Sequence, residues 1–248
     1  TRLVGSEMCI RDSIWIAESD DVARSTFLEE CMNAFSSYSD VSIVFSDCLF
    51  VDENTRDMHE TKLQLTYRLS DKKQDSPYTM YNGRFFIDHR MFYQNYIMNA
   101  SMVVFRKNSR HPDKAYMNYR YVGDWLFWVG ILLNGNTVYI DKQLNLFRQH
   151  AGNTTATSFS SGNNYKEMGR LMTDICRIVQ PPTGFKPYLY GYFFVHLRRH
   201  FKKMKYNPFI VKEIFDEWAR NENRTFSIIW YRIAKWLCLY KDKRPFRP

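Results

Sequence analysis

The chain has 248 residues, of which 45% are hydrophobic and 17% aromatic, a composition that supports a folded core and excludes a disordered chain. No apolar run reaches the roughly 18 residues of a membrane-spanning helix, and no export signal is recognisable, so we expect a cytoplasmic protein. The formal net charge of +9 does not indicate nucleic-acid binding, because the whole excess lies between Tyr192 and Pro248, where 14 Lys and Arg accompany 5 Asp and Glu.

This basic C-terminal segment also contains large aromatic side chains, namely Trp218, Trp230, Tyr231 and Trp236. Basic helices that carry aromatic residues are typical of attachment to an anionic surface. We therefore expect peripheral contact with the inner face of the cell membrane, and no nucleic-acid partner. A plain solvated basic face is the alternative.

Residues 1–13, TRLVGSEMCIRDS, have neither helical nor strand periodicity, whereas a strand pattern begins abruptly at Ile14. The string resembles the translation of a transposase-based sequencing adapter, and we interpret it as a non-native artefact. A disordered natural N-terminus is the alternative. On the first interpretation the native chain is longer, and its true beginning has been lost.

Three elements are expected next along the chain. Ile14–Ala17 is a short buried strand, and Val41–Phe50 is a second strand. Thr26 followed by Glu29 forms a capping box, which predicts a helix over about Phe27–Phe35. A strand, a helix and a strand in this order predict a parallel α/β sheet.

The following region is expected to begin with an irregular polar connection over residues 58–81. An aromatic-rich helix is expected over Gly83–Met98, and a strand over Asn99–Asn108. A buried helix follows over Tyr121–Gly135, and two short strands over Thr137–Ile140 and Leu144–Arg148. Amphipathic helices are expected beyond, over 165–178, 187–205, 209–221 and 225–240. We therefore divide the chain into a domain over 14–156 and a basic helical region over 157–248.

Three carboxylates, Glu18, Asp20 and Asp21, follow the first predicted strand directly. Acidic residues ahead of a helix commonly act only as caps, which would account for one or two of them. At the carboxyl end of a strand in an open α/β sheet, however, ligands bind. Such a cluster there suits a divalent cation, Mn²⁺ or Mg²⁺, that grips a diphosphate.

Two later segments also carry candidate functional groups. Asp124 opens a strongly apolar segment, where it is either a helix cap or a functional carboxylate. Arg148 and His150 follow a predicted strand and present a guanidinium and an imidazole from one loop. These groups suit phosphate and metal contacts, and an exposed basic pair is the alternative.

Taken in order, IWIAESDD, VSIVFSDCLFVDEN, NASMVVFRK and GDWLFWVGILLNGNTVYIDKQLNLFRQH resemble the second half of the catalytic domain of family 2 glycosyltransferases. The resemblance covers about Ile14–Thr155. It implies part of a GT-A fold, an α/β Rossmann-like mixed sheet flanked by helices, with a C-terminal helical appendage. Enzymes of this family build bacterial cell-surface polysaccharides. They move a sugar from a nucleotide-diphospho-sugar to an acceptor hydroxyl with inversion at the anomeric carbon.

The resemblance also implies roles for individual residues. Glu18-Ser19-Asp20-Asp21 takes the place of the family's DxD motif, with Glu18 in place of its first aspartate. The resemblance implies that the metal ligands are Glu18, Asp20 and Asp21, and that the donor contacts are Asp20, Arg148 and His150. It implies that Asp124 is the catalytic base, and that the acceptor side includes Asn99, Ser101 and Trp125. The acceptor would be a glycan or a lipid-linked glycan.

The chain departs from the family in one respect, because nothing before Ile14 corresponds to the strand–helix–strand unit that holds the nucleobase. We therefore expect the full-length protein to be an enzyme and this piece to be inactive or feeble. A non-catalytic carbohydrate- or partner-binding module is the main alternative. A nucleic-acid-binding protein is a second alternative. A metal-dependent phosphoester hydrolase is a third, and it would release phosphate without a sugar acceptor.

Overall fold

The structure, a computed structural model, describes residues 12–58, 69, 76–107, 114–149, 158, 161–183, 213–214 and 217. The chain divides into two compact units. Unit 1 comprises Thr1–Asp113 and Phe127–His150, and unit 2 comprises Lys114–Leu126 and Ala151–Pro248. The helices predicted over 187–205 and 225–240 lie outside the described residues, as does almost all of the one predicted over 209–221.

The described part of unit 1 contains a six-stranded mixed sheet. Its strands are β1 to β6 in chain order: Ser13–Trp15, Val22–Ala23, Val41–Val51, Tyr78–Tyr81, Val103–Arg106 and Asn136–Arg148. The spatial order is β1-β5-β3-β6-β2, and β4 also pairs with β6. Strands β3 and β6 run parallel, whereas the β1–β5, β3–β5, β2–β6 and β4–β6 pairs are antiparallel. The predicted mixed α/β class is confirmed.

Four α-helices are described, α1 to α4 in chain order: Phe27–Ser37, Gly83–Phe86, Gly123–Leu132 and Asn163–Ile178. Helix α2 continues as a π-helical turn over Ile87–Met91, and 3₁₀ turns cover Ala100–Met102 and Lys114–Asn118. Helix α3 begins in unit 2, and its residues from Phe127 onwards belong to unit 1.

The core of unit 1 lies on both faces of β3. Helix α1 buries Phe27 and Ala34 against the face that includes Val44. On the opposite face the ring of Phe45 lies 5.7 Å from that of Phe86 and 5.5 Å from that of Tyr139. Burial on both faces explains why eight of the eleven residues of β3 are apolar. Each large apolar side chain among them contributes about 1.5–3 kcal/mol relative to exposure.

The first predicted strand is shifted in the structure. Strand β1 covers Ser13–Trp15 and is half-buried at its pairing with β5, so it begins one residue before the predicted start. The carbonyl of Asp12 also accepts a hydrogen bond of 2.7 Å from the amide of Lys107. Because β5 lies between β1 and β3 and is antiparallel to both, these two strands point the same way without pairing. The parallel partner of β3 is β6.

The predicted capping box was wrong. Thr26 has helical backbone angles, and its side chain makes no capping hydrogen bond, although helix α1 does begin at Phe27 and runs to Ser37. The carbonyl of Thr26 accepts the first intrahelical hydrogen bond, from the amide of Glu30 at 3.0 Å.

Several other expected elements differ from the structure. The connection expected to be irregular over 58–81 ends in strand β4, and the strand expected from Asn99 begins only at Val103, after a 3₁₀ turn. The helix predicted over Gly83–Met98 is shorter in the structure. It comprises α2 and the π-helical turn that follows Phe86, and this turn ends at Met91. The two short strands predicted over 137–148 are one strand, β6, with an irregularity where Asp47 of β3 pairs with Gln143. Such a bulge adds residues to one strand without ending it, so the break in the apolar pattern between Ile140 and Leu144 does not separate two strands.

Candidate functional site

The acidic turn, which we define as residues 18–21, lies at the end of the sheet formed by the carboxyl ends of the parallel strands. Val51, the last residue of β3, pairs with Arg148, the last residue of β6. Strand β1 points the same way and leads into the acidic turn, and the antiparallel strand β5 begins at this edge, just after the 3₁₀ turn Ala100–Met102. The topology therefore gathers four chain segments at one edge of unit 1.

Asp21 is the centre of the hydrogen bonds that hold these segments together. Its Oδ1 accepts from the backbone amide of Arg148 at 3.0 Å, and its Oδ2 accepts from Nδ2 of Asn99 at 2.9 Å. Burial raises the pKa of Asp21, and the hydrogen bonds from Arg148 and Ser101 oppose that shift. Since both of its oxygens are engaged, Asp21 acts as a structural anchor of the turn.

Asn99 extends this network into the interior. Its Nδ2 also donates to Oδ1 of Asn145 at 2.9 Å, and its own Oδ1 accepts from the amide of Met102 at 3.0 Å. Asn145 is fully buried, and among the described residues its Nδ2 has no hydrogen-bond partner. Sequence reasoning missed Asn145, although a polar residue within the apolar run LNLF is a signal for such a role.

Ser101 holds the start of the acidic turn. Its hydroxyl accepts from the backbone amide of Glu18 at 3.0 Å, and its carbonyl accepts from Nε1 of Trp15 at 2.9 Å. Partial burial raises the pKa of Glu18, as do the charges of Asp21 and Asp20, whereas a hydrogen bond from the amide of Ala100 opposes the shift. The turn therefore concentrates mutually repelling negative charge.

Arg148 joins the acidic turn to the turn that follows β3. Its Nε donates to the carbonyl of Asp20 at 2.8 Å. Its Nη1 donates to the carbonyls of Asp52 and Glu53 and to Oγ1 of Thr55, at 3.2, 2.7 and 3.1 Å. Thr55 has a positive φ of 66°, which a β-branched residue rarely adopts, so this turn is strained. The guanidinium thus bridges two turns, an arrangement that sequence reasoning did not foresee.

Three predicted site residues remain, namely Asp124, Trp125 and His150. His150 lies outside the described residues. Asp124 is an exposed residue in the first turn of α3, and Trp125 beside it is only 6% exposed. Both belong to unit 2, where the amide of Trp125 donates to the carbonyl of Val122 at 3.2 Å.

Across the described residues, no three His, Cys, Asp or Glu side chains form a group that could hold a metal ion by themselves. Each oxygen of Asp21 already accepts a hydrogen bond, whereas Glu18 and Asp20 are exposed, so Glu18 and Asp20 are the more accessible of the three candidate ligands in the turn. Two carboxylates fit Mg²⁺, which commonly takes one or two of them together with substrate phosphates.

None of the helices described in either unit is both long and apolar enough to cross a membrane. No protein-family model matches the chain, and no curated protein matches it either.

Proposed function

We propose that this chain is part of an inverting glycosyltransferase of the GT-A fold. It would transfer a sugar from a nucleotide-diphospho-sugar to a hydroxyl of a glycan or lipid-linked acceptor, in bacterial cell-surface polysaccharide synthesis. The observation that carries the proposal is the joining of the acidic turn, the end of β6 and the turn after β3 by Asp21 and Arg148 at one edge of the sheet. Ligands of open α/β sheets bind at the carboxyl ends of the strands.

The acidic turn would face the diphosphate of the donor. Glu18 and Asp20 would hold a divalent cation, Mn²⁺ or Mg²⁺, while Asp21 keeps the turn in place. When bound, such a cation neutralises negative charge on the departing diphosphate. The repulsion among the three carboxylates supports this role, since a cation would relieve it.

Asp124 would act as the general base. It would accept the proton of the acceptor hydroxyl while the oxygen forms its bond to the anomeric carbon and the bond to the diphosphate breaks. Its exposure in the first turn of α3 supports this role, because a base must reach the acceptor. His150, as a donor contact, and the basic C-terminal segment, as a membrane contact, stay predictions from the sequence.

Donor binding by the full-length protein tests the proposal. Uridine- and guanosine-diphosphate sugars are titrated by calorimetry with and without Mn²⁺. We expect metal-dependent binding that is lost in Asp20→Asn and kept in Glu29→Gln, a control in the first turn of α1. A folded protein that binds no donor would overturn the proposal, and phosphate release without an acceptor would favour a hydrolase.

A further inference from the structure

We infer that Glu167, on helix α4, is a positioning residue that fixes the start of helix α3 and thereby the carboxylate of Asp124. Its Oε1 accepts from the backbone amide of Arg120 at 3.0 Å, and its Oε2 accepts from the amide of Tyr121 at 2.7 Å. These amides lie just before Gly123, the first residue of α3. Because Asp124 is the base only under the proposed function, the role of Glu167 rests on that function.

Burying a carboxylate is costly unless it is well hydrogen-bonded. Glu167 is only 7% exposed, and each of its carboxylate oxygens accepts a hydrogen bond from the backbone amide of one of two consecutive residues. Charge-assisted hydrogen bonds of this kind are roughly twice as strong as neutral ones. The side chain is therefore a clamp on the segment that precedes α3.

The same face of α4 makes a second tie to that segment. Glu167, Arg170 and Asp174 are spaced by three and four residues, which places them on one face of the helix. The hydroxyl of Tyr119 donates to Oδ2 of Asp174 at 2.6 Å, and the guanidinium carbon of Arg170 lies 5.6 Å from the centre of the Tyr119 ring. Three consecutive residues, 119–121, are thus attached to α4.

Close packing at Gly123 completes the arrangement. A Cβ at this position would lie 2.4 Å from the carbonyl oxygen of Tyr116 and 3.1 Å from Cβ of Tyr119. Such distances exclude a side chain, so the 3₁₀ turn and the start of α3 lie against each other through the glycine. The backbone that carries Asp124 therefore has little freedom while the ties to α4 are intact.

The substitution Glu167→Gln tests the clamp, because the amide nitrogen of Gln would face a backbone amide and lose one acceptor. In the full-length protein we expect kcat to fall about 10- to 100-fold, as for other small misplacements of a catalytic group. The donor KM should change less than about two-fold, since the donor contacts are unaltered. Hydrogen exchange should become faster at the amides of Arg120 and Tyr121.

A matched control and a double variant separate positioning from general destabilisation. Lys166, which lies on the same helix as Glu167, forms an ion pair with the exposed Glu213. The control Glu213→Gln removes that ion pair and should leave kcat unchanged. In the Asp124→Asn background, Glu167→Gln should cause little further loss of transfer, because the two residues act as one unit. An additive loss in the double variant would indicate a merely structural role and overturn the inference.

The possible failures are distinguishable. A wild-type kcat for Glu167→Gln, with faster exchange at Arg120 and Tyr121, would overturn the inference and leave the proposed function intact. A wild-type rate for Asp124→Asn would overturn the base assignment, and with it this role of Glu167. If Glu167→Gln does not fold, Glu167→Asp replaces it, since the shorter side chain keeps the charge but cannot reach both backbone amides. A wild-type kcat in that variant would also overturn the inference.

Discussion

The backbone amide of Arg148 donates a hydrogen bond of 3.0 Å to Oδ1 of Asp21, across 127 positions of the chain. The side chain of Arg148 bonds in turn to the carbonyl of Asp20, so one residue at the end of β6 holds the acidic turn twice. The carboxylates of this turn are consequently unequal. Asp21 anchors the turn, whereas Glu18 and Asp20 are exposed at it.

Asp21→Asn should destabilise unit 1. The new amide nitrogen must face either the amide of Arg148 or Nδ2 of Asn99, both of which are donors. Leaving such a donor unmatched costs about 1–3 kcal/mol. Urea unfolding at pH 7 measures the change, with Asp20→Asn as the matched control, for which we expect less than about 0.5 kcal/mol. Equal losses in the two variants would contradict the anchoring role of Asp21.

Glu18→Gln should have the opposite effect and stabilise the folded protein at neutral pH. Although Glu18 as a whole residue is exposed, partial desolvation of its carboxylate raises its pKa, and the charges of Asp21 and Asp20 raise it further. The ionised carboxylate is therefore disfavoured in the folded state. Removing its charge relieves both costs. Thermal unfolding without added cations should show a higher Tm for Glu18→Gln and an unchanged one for Glu53→Gln, an exposed residue of the neighbouring turn. A lower Tm for Glu18→Gln would show that the repulsion is unimportant.

Arg148→Lys should loosen the connection between the two turns. The guanidinium reaches the carbonyls of Asp20 and Glu53 from different nitrogens, and a single ammonium cannot reproduce that fork. We expect a loss of roughly 1–2 kcal/mol in the free energy of unfolding and weaker donor binding. Arg56→Lys, an exposed substitution in the turn after β3, is the control and should change neither quantity. Unaltered donor affinity in Arg148→Lys would show that the connection between the two turns does not contribute to donor binding.

Much of the core of unit 1 was predictable because its pattern is local. The apolar run Val41–Phe50 and the spacing of Phe27, Cys31 and Phe35 indicate a buried strand and a helix that packs on it, and the structure has both. The placement of β5 between β1 and β3 was not predictable, because pairing with β5 depends on contacts far apart in the sequence. Local periodicity carries no information about which strands become neighbours.

The candidate site was predictable in composition more than in geometry. The acidic turn and Arg148 could be selected from their residue types at strand ends, but the partners of Arg148 are carbonyls of the turn after β3, which leave no trace in residue identity. Glu167 was missed for a related reason. It lies on an amphipathic helix, where a single acidic residue is expected on the solvated face, and only the tertiary structure shows that it is buried.

A cluster away from the site should control stability at the extremes of pH. Glu30 of α1 accepts from Nζ of Lys142 in β6 and from the hydroxyl of Tyr78 in β4, each at 2.5 Å. These hydrogen bonds, that from Lys142 foremost, lower the pKa of Glu30. Burial and the hydrogen bond to Glu30 raise the pKa of Tyr78 to about 12. One carboxylate thus connects a helix to two strands.

The two shifts act at opposite ends of the pH range. The pKa of Glu30 is lower in the folded state, so its contribution is present above its unfolded value and is lost as pH falls through the folded one. The pKa of Tyr78 is raised, so its contribution is present below the unfolded value of about 10 and is lost as pH rises towards about 12. Glu30→Gln should therefore cost roughly 1–2 kcal/mol at pH 7 and almost nothing under strongly acidic conditions.

Urea unfolding between pH 3 and 11 checks both signs. Tyr78→Phe should lack the loss of stability that the wild type shows above about pH 10. Glu29→Gln, one position before Glu30 and exposed in the first turn of α1, is the matched control and should follow the wild type throughout. A Glu30→Gln variant whose difference from the wild type persists unchanged into acid would mean that Glu30 stabilises the protein by packing, since a contribution from its charge must vanish when the carboxylate of the wild type is protonated.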